Sequence, residues 1–176
     1  MIRKFVVRLL MFLPFPIAFV SKGHSQNIPD SKKKEMVESK IASFEKDFTA
    51  PQISVIELQE LLKKDAGKTL IVDVRTKKEQ SVSMLQGAIT SEEFSKNPDK
   101  YKGKTIVSYC TIGYRSSIFT EKLVKKGFKA LNLRGSILMW AHYKGKLYTP
   151  SGNETNKVHV YSKDWSLLPA SYTPEY

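Results

Sequence analysis

The sequence predicts an α/β domain with a central parallel sheet of about five strands and helices on both faces. Two apolar runs, residues 69–74 (TLIVDV) and 104–110 (KTIVSYC), have the length and composition of strands buried on both faces. Segments with the apolar spacing of amphipathic helices separate and follow these runs. Strands that alternate with helices form parallel sheets covered on both sides. The chain has 176 residues, of which 41% are hydrophobic, and this size suits one such domain with further segments at its ends.

The first 26 residues have the layout of a secretory signal peptide. Basic residues at positions 3 and 4 precede an apolar run over residues 9–20, and small residues then lead to an expected cleavage site near Ser25 or Gln26. We therefore expect an exported protein, periplasmic or secreted after signal-peptide cleavage. The apolar run is shorter than the roughly 20 residues of a spanning helix and contains two prolines, so we expect no permanent membrane span. A buried N-terminal helix and an organelle transit peptide are the alternatives.

Residues 27–50 are predicted to form an N-terminal helical extension. Apolar residues follow one another here at spacings of four, three and four: Val37, Ile41, Phe44 and Phe48. This spacing places them on one face of a helix. We expect this face to pack on the main domain, and the alternative is that it binds a protein partner.

The α/β domain is expected to span residues 51–145. It begins with a short strand at Ile53 and a capping box, in which Ser54 and Glu57 open a helix that stops near Gly67. The further elements expected are the strand 69–74, a helical turn at 76–80, a short strand at 87–89, a surface helix and loop over 91–101, the strand 104–110, a helix over 115–127, a strand over 129–133 and a short helix over 136–143 that Gly145 stops.

The helix expected over residues 115–127 follows the second buried strand directly. Its spacing indicates an inner face with Ile118, Leu123 and Val124, and Gly127 is placed to cap its C-terminus. This helix therefore covers one face of the sheet.

Residues 146–176 are predicted to form a C-terminal extension packed on the domain. Residues 157–161 (KVHVY) alternate like a strand, and three prolines interrupt the rest of the segment. We expect Tyr161 and Trp165 to anchor this extension by packing.

The distribution of charge along the chain argues against a nucleic-acid partner. The formal net charge is +12, but the lysines are spread through the sequence and no nucleic-acid-binding motif accompanies them. We therefore expect no nucleic-acid partner, and we interpret the charge as a basic surface that attracts small anions. The three histidines lack the spacing of metal ligands, so no metal or other cofactor is predicted.

Cys110, the only cysteine in the chain, lies at the predicted end of a buried strand. Ligands of open α/β sheets bind at this end of the strands. A short loop with Gly113 can direct several backbone N–H groups to the sulfur, and the following helix N-terminus, Arg115 and the hydroxyls of Thr111 and Ser116 add to them. Such a site lowers the thiol pKa below about 8.5 and yields a nucleophilic thiolate. The alternative is an ordinary buried cysteine of the core.

Several motifs that follow one another along the chain bear on whether Cys110 is a reactive thiol or an ordinary cysteine of the core. They are DVR at residues 73–75 with Glu79 four residues later, GAI at 87–89, CTIGYRS at 110–116 and NLRGSILMW at 132–140. Over residues 53–142 the sequence thus resembles the rhodanese family of sulfurtransferases.

This resemblance implies a rhodanese-like fold and a two-step sulfur transfer. Cys110 would take sulfane sulfur from a small anionic donor (thiosulfate, polysulfide or a persulfide), hold it as a persulfide, and pass it to a thiol or cyanide acceptor. No cofactor is needed. Four residues separate Cys110 from Arg115, as in this family, whereas related cysteine phosphatases have five. The implied active-site loop consists of Thr111, Ile112, Gly113, Tyr114, Arg115 and Ser116.

The resemblance also implies supporting residues. Asp73 is expected to hold the loop through Arg115 or backbone donors, since a buried carboxylate needs a partner. Arg75, and more weakly Arg134, are candidates to attract anionic donors at the mouth of the site, although a surface arginine is the more common outcome. A sulfane-sulfur carrier or sensor without turnover, and a protein-binding module, are the alternative functions. A thiol oxidoreductase is disfavoured because the chain has no second, resolving cysteine.

Overall fold

The computed structural model describes residues 28–176 of the chain. The expected signal peptide, residues 1–26, lies outside the described residues. Within the described part, no helix combines the length and the apolar character needed to cross a membrane. The α-helices are α1 Asp30–Phe44, α2 Val55–Asp65, α3 Lys77–Val82, α4 Ser91–Lys96, α5 Tyr114–Lys125 and α6 Ser136–His142.

The strands confirm the predicted fold class. Across residues 28–176 they are β1 Gln52–Ile53, β2 Thr69–Asp73, β3 Met84–Leu85, β4 Ile89–Thr90, β5 Thr105–Tyr109, β6 Ala130–Leu133, β7 Leu147–Tyr148, β8 Glu154–Thr155, β9 Lys157–His159 and β10 Thr173–Glu175. In this part of the chain, five of them form a parallel sheet in the order β1-β6-β5-β2-β4. Strands β2 and β5 are buried along their whole length at the centre.

Alternate residues of the central strands pack against helices on opposite faces of the sheet. Ile71 and Val107 belong to a core that also contains apolar residues of α1, α2 and α6. Leu70 and Ile106 belong to a second core, with Phe94 of α4 and Leu123 of α5. Because side chains of a strand point alternately to its two faces, the continuous apolar runs of β2 and β5 supply both cores.

Local signals in the sequence account for where α2 and α3 begin and where α5 ends. Ser54 caps α2 in the predicted capping box with Glu57. Thr76 and Glu79 form a second capping box at the start of α3, in the segment predicted as a helical turn. Gly127, just beyond α5, has a φ of 82°, a left-handed conformation that glycine adopts without strain.

The predicted inner face of α5 is wrong at two positions. Ile118 and Val124 are 37% and 41% exposed, while Leu123 is buried as expected. The helix instead turns a polar stripe to the sheet, because the hydroxyl of Thr120 lies 2.5 Å from that of Ser108 on β5. A buried hydroxyl needs a partner, and this pairing sets the rotation of α5.

The N-terminal helix packs on the domain, as predicted. Val37 and Ile41 are buried in the same core as α2 and α6. The helix ends at Phe44, so Phe48 lies beyond it rather than on its face. The ring of Phe48 still packs edge-on against Phe44, with centroids 6.3 Å apart.

The C-terminal extension also packs on the domain, but one of its two expected anchors is wrong. Trp165 is half-buried against the core, whereas Tyr161 is 67% exposed. Tyr161 lies two residues after the end of β9 and has a φ of 71°, in the left-handed region. The buried residues of this extension are Val158, His159, Val160, Leu167, Leu168 and Pro169, together with Leu147 at its start.

Candidate active site

Cys110 directly follows β5, at the carboxyl end of the central strand. Its neighbour β2 ends at the same edge with Asp73, and α5 begins four residues after Cys110, at Tyr114. The cysteine is only 1% exposed, yet it lines a surface pocket. The predicted position of the thiol, between a buried strand and a helix N-terminus, is therefore confirmed.

The start of α6 fixes the shape of the loop after Cys110. The N–H groups of Ile137 and Leu138 each donate to a loop carbonyl, that of Cys110 and that of Thr111, at 3.2 Å. First-turn N–H groups have no partner within their own helix, and here the loop carbonyls satisfy them. The carbonyls thus point toward α6, while the N–H of Gly113 points to the sulfur.

Gly113 completes the turn of this loop. Its φ of 118° lies in the left-handed range, which residues other than glycine rarely adopt. In this conformation its N–H donates to the Sγ of Cys110 at 3.2 Å. Its carbonyl accepts from both the N–H and the hydroxyl of Ser117 at 2.9 Å.

Two hydroxyls also face the sulfur. Ser116 Oγ lies 3.6 Å from the Sγ of Cys110. The same hydroxyl lies 3.2 Å from the carbonyl of Gly113, which already accepts twice from Ser117, and 3.4 Å from the hydroxyl of Ser136, so the sulfur is one of three acceptors within its reach. Ser136 Oγ lies 4.0 Å from the Sγ and accepts the N–H of Cys110 at 3.0 Å. Sequence reasoning missed Ser136, which is close to Cys110 in space and 26 residues away in sequence.

These contacts lower the pKa of the Cys110 thiol. Burial is the largest single influence and raises the pKa, because it penalises the charged form. The hydroxyl and N–H of Ser116, the charge of Arg115 and the N–H of Gly113 together outweigh it. The thiol is therefore more acidic than an ordinary cysteine, as the sequence predicted.

Arg115, one of the two partners expected for Asp73, is held by Glu79 instead, and the backbone donor that Asp73 has is the N–H of Arg75 at 2.9 Å. Its guanidinium donates to both carboxylate oxygens of Glu79, at 2.6 and 2.9 Å. Burial raises the pKa of Glu79, but hydrogen bonds from Arg115 and Thr76 outweigh it and lower the pKa to about 2. Glu79 thus stays ionised and fixes the cation beside the thiolate. The sequence signalled Glu79 through its capping box and its place after DVR, yet no role was assigned to it.

Thr111 also contacts Glu79 and gives no hydrogen bond to the sulfur. Its hydroxyl donates to the Oε1 of Glu79 at 3.0 Å and accepts from Arg115 at 3.0 Å. The expected role of Thr111 as a donor to Cys110 is wrong, because the carboxylate lies within its reach. Thr111 instead joins the loop to α3 through Glu79.

Asp73 and Arg75 form a buried ion pair beneath the site. Arg75 Nη2 lies 2.7 Å from Asp73 Oδ2, and neither side chain is exposed. The hydroxyl of Tyr109 also donates to Asp73, at 2.5 Å. We expected Arg75 to face the mouth of the site, and this expectation is wrong. The arginine is buried because its charge needs the carboxylate two residues earlier. Asp73 supports the strand end at which the loop begins.

Arg134 lies away from the thiol and contacts α1. It donates to Glu38 at 2.6 Å and to Glu45 at 2.9 Å. Its expected role in attracting an anionic donor is therefore wrong, since two carboxylates occupy its guanidinium. Arg134 instead ties the end of α1 to the loop after β6.

The remaining loop residues, Ile112 and Tyr114, lie at the wall of the pocket that contains Cys110. The volume of this pocket is about 300 Å³. Ile112 is buried and Tyr114 half-exposed. The residues that line the pocket are Phe44, Cys110, Thr111, Ile112, Tyr114, Arg115, Tyr161 and Trp165. Sequence reasoning missed the part of Phe44, Tyr161 and Trp165 in this pocket, because they come from segments far from the loop.

No group of three or more histidine, cysteine, aspartate or glutamate side chains within residues 28–176 is arranged to hold a metal ion. The chemistry that the pocket can carry with its own residues is that of the Cys110 thiolate and its hydrogen-bond donors. A thiolate of lowered pKa in an open pocket is a nucleophile poised for attack on an electrophilic atom.

We expect Arg115→Ala to raise the pKa of Cys110, because it removes the positive charge beside the sulfur. The rate of alkylation of this single thiol, measured from pH 5 to 10 with iodoacetamide, would then reach its midpoint at a higher pH than in the wild type. Arg115→Lys keeps a positive charge and should stay closer to the wild-type profile. Coincident profiles for the wild type and Arg115→Ala would assign the acidity of the thiol to Gly113 and Ser116 alone.

Comparison with known proteins identifies relatives of this chain. The model of the rhodanese-like domain family matches residues 54–143. A sulfurtransferase of Allochromatium vinosum is 32% identical over 95 residues, which cover 50% of this chain and 86% of that protein. A tRNA uridine(34) hydroxylase of Protochlamydia amoebophila is 32% identical over 118 residues, covering 57% of this chain and 37% of that protein.

Most of these curated relatives are longer than the matched segment, and the chain spans about a third of the length of the first of them. Among solved structures, thiosulfate sulfurtransferase from Pseudomonas aeruginosa superposes with a TM-score of 0.50 at 21% identity. The alignment covers 78% of this chain and 26% of that one. This similarity concerns the fold.

Proposed function

The chain belongs to the rhodanese-like domain family, and on this premise we propose that it is a sulfurtransferase in which Cys110 carries the transferred sulfur as a persulfide. The observation that carries the proposal is the set of donors around one buried thiol. The N–H of Gly113 and the hydroxyl of Ser116 lie 3.2 and 3.6 Å from the sulfur. The family's sulfurtransferases support the same reaction class.

The first half-reaction loads the enzyme. The Cys110 thiolate attacks the sulfane sulfur of a donor such as thiosulfate, polysulfide or a persulfide, and a new S–S bond forms. The S–S bond of the donor breaks, and its electron pair leaves with the rest of the donor, which is sulfite when the donor is thiosulfate. The outer sulfur of the resulting persulfide carries the negative charge, for which the donors near Cys110 provide hydrogen bonds.

The second half-reaction unloads it. A thiol or cyanide attacks the outer sulfur, the S–S bond to Cys110 breaks, and the electron pair returns to Cys110 as a thiolate. With cyanide the product is thiocyanate. Because the donor product leaves before the acceptor binds, the kinetics are expected to be ping-pong.

The test is to follow the sulfur through both half-reactions. The purified protein is incubated with thiosulfate, polysulfide or an organic persulfide, and its intact mass is measured before and after cyanide is added. We expect a gain of one sulfur atom that cyanide removes as thiocyanate. Sulfur uptake with no transfer to cyanide or to thiols would instead support a carrier or sensor, and no uptake from any donor would support a protein-binding module.

We further propose that the protein acts outside the cytoplasm. The proposal depends on the basic, apolar and small residues of segment 1–26. Expression of the full chain, cell fractionation and N-terminal sequencing should find a product that begins near residue 26 or 27 in the exported fraction. A full-length product confined to the cytoplasm would contradict it.

A further inference from the structure

Four aromatic rings and the side chain of Ile112 line the pocket at Cys110, and we call this set the aromatic cup: Phe44, Ile112, Tyr114, Tyr161 and Trp165. The cup is built from three parts of the chain, namely the end of α1, the loop after β5 and the C-terminal extension. Two of its rings contact each other: those of Phe44 and Tyr114 have centroids 5.6 Å apart and cross at 70°. Such edge-to-face contacts stabilise a fixed arrangement of rings.

Segments outside the matched domain supply much of the cup. Phe44, Tyr161 and Trp165 lie outside residues 54–143, which the family model covers. The ion pairs of Arg134 with Glu38 and Glu45 hold the end of α1 where Phe44 meets the loop. The cup is therefore a feature that the two extensions add to the domain.

The cup offers little charge to a substrate. Arg115 is the charged residue among those that line the pocket, and it is paired with Glu79 at 2.6 Å. Arg75 is buried and paired with Asp73. The ammonium of Lys40 lies 4.4 Å from the centroid of the Trp165 ring without being part of the lining. The cup therefore suits a compound with at most one negative charge and an apolar body.

A strongly hydrated dianion fits such a pocket poorly. Moving charged oxygens from water to an apolar surface costs free energy unless cations or hydrogen bonds replace the water. An apolar body gains free energy from the same transfer, in proportion to the area it buries. The volume of about 300 Å³ is enough for one small organic molecule.

We propose that the donor for Cys110 is an organic sulfane-sulfur compound with an apolar alkyl or aryl body, an organic persulfide or thiosulfonate, and that the aromatic cup selects it over inorganic thiosulfate. This inference rests on the sulfur-transfer function proposed above. With a persulfide R–S–SH, the Cys110 thiolate bonds to the outer sulfur and the S–S bond of the donor breaks. Its electron pair leaves on R–S⁻, which takes the proton, so the products are the Cys110 persulfide anion and R–SH. With a thiosulfonate R–SO₂–S⁻, the electron pair leaves on the sulfinate R–SO₂⁻.

The test uses three donors that differ in body and charge: benzenethiosulfonate, methanethiosulfonate and inorganic thiosulfate. The rate of the first half-reaction is measured for each by intact mass under single-turnover conditions. Each rate is divided by that of the same donor with a small free thiol, which removes differences in intrinsic reactivity. We expect the normalised rate constant to be at least about tenfold higher for the benzene than for the methane compound, as burial of an aromatic ring predicts, and lowest for thiosulfate.

Two variants connect this preference to the cup. Trp165→Ala and Tyr161→Ala should each lower the benzene-to-methane ratio by about threefold or more, because each removes apolar area from the binding site. Tyr161 is 67% exposed, so its loss does not threaten the fold. Tyr176→Ala removes another exposed tyrosine, one outside the cup, and should keep the wild-type ratio. Because the ratio is taken within one preparation, a reduced folded fraction does not alter it.

The outcomes separate this inference from the proposed function. Equal normalised rates for the two thiosulfonates, a higher rate for thiosulfate, or an unchanged ratio in both cup variants would overturn the selection by the cup while Cys110 still gained sulfur. No gain of sulfur from any of the donors would overturn the sulfur-transfer function and, with it, this inference.

Discussion

Cys110→Ser is expected to abolish sulfur uptake, lowering the rate of the first half-reaction by about 10³-fold or more, because an un-ionised hydroxyl replaces the nucleophile. The protein should show no gain in mass with any donor and release no thiocyanate with cyanide. The chain contains no other cysteine that could take over. Intact mass measurement with the wild type in parallel checks the prediction.

The fold should survive this substitution. A serine hydroxyl at position 110 can accept the N–H of Gly113, which donates to the sulfur at 3.2 Å in the wild type. The melting temperature of Cys110→Ser should therefore lie close to that of the wild type, so that loss of activity reports the chemistry. A gain of sulfur in this variant would show that the transferred atom is not held on Cys110.

Asp73→Asn is expected to destabilise the protein by about 3–5 kcal/mol, because it leaves the charge of Arg75 buried without its partner. Both side chains of this pair have no exposure. Asn has nearly the shape of Asp, so the change tests charge rather than packing. The free energy of unfolding, measured by urea titration, gives the effect.

Two further variants give reference values for the loss of stability in Asp73→Asn. Tyr109→Phe removes the hydroxyl that donates to Asp73 but keeps the ion pair, and we expect a smaller loss of about 1–3 kcal/mol. Glu92→Gln breaks the exposed ion pair with Lys77, and its urea midpoint should hardly move because water screens such pairs. If Asp73→Asn were as stable as Glu92→Gln, the buried pair would not support the strand end on which the active-site loop is built.

Local signals in the sequence predicted much of the fold. The apolar runs of β2 and β5 identify buried parallel strands, and capping residues mark the start of α2. These features depend on neighbours in the chain. The rotation of α5 was predicted wrongly at Ile118 and Val124, because it depends on Ser108 of another element. Strands β7 and β8 were not predicted, since each has two residues and is defined by its pairing.

The candidate site was predictable where its parts are adjacent in sequence. Cys110, Gly113 and Ser116 lie within one loop and helix start, so their spacing alone indicated that donors would surround the sulfur. The partner of Arg115 is Glu79, 36 residues earlier, and single-sequence patterns do not indicate such pairs. Arg75 was misplaced although its partner Asp73 is only two residues earlier, because the burial of the pair depends on how β2 and α3 pack.

The aromatic cup was outside the reach of sequence patterns. Phe44 and Trp165 are far apart along the chain, since one precedes the domain in sequence and the other follows it. Their meeting over Cys110 results from the packing of both extensions on the domain. Tyr161 was expected as a packing anchor, and its exposed ring instead lines the pocket.

The acidity of one thiol tests the central claim, which is that the loop holds Cys110 as a nucleophilic anion. The measurement is the rate of alkylation of Cys110 by iodoacetamide as a function of pH, with denatured protein as the reference. Since the native pKa is lowered, the thiolate persists to lower pH, and the native midpoint should fall below the free value of about 8.5 shown by the denatured chain. A native midpoint at or above that of the denatured chain would show that burial outweighs the donors, and the account of Cys110 as a sulfur-accepting thiolate would be wrong.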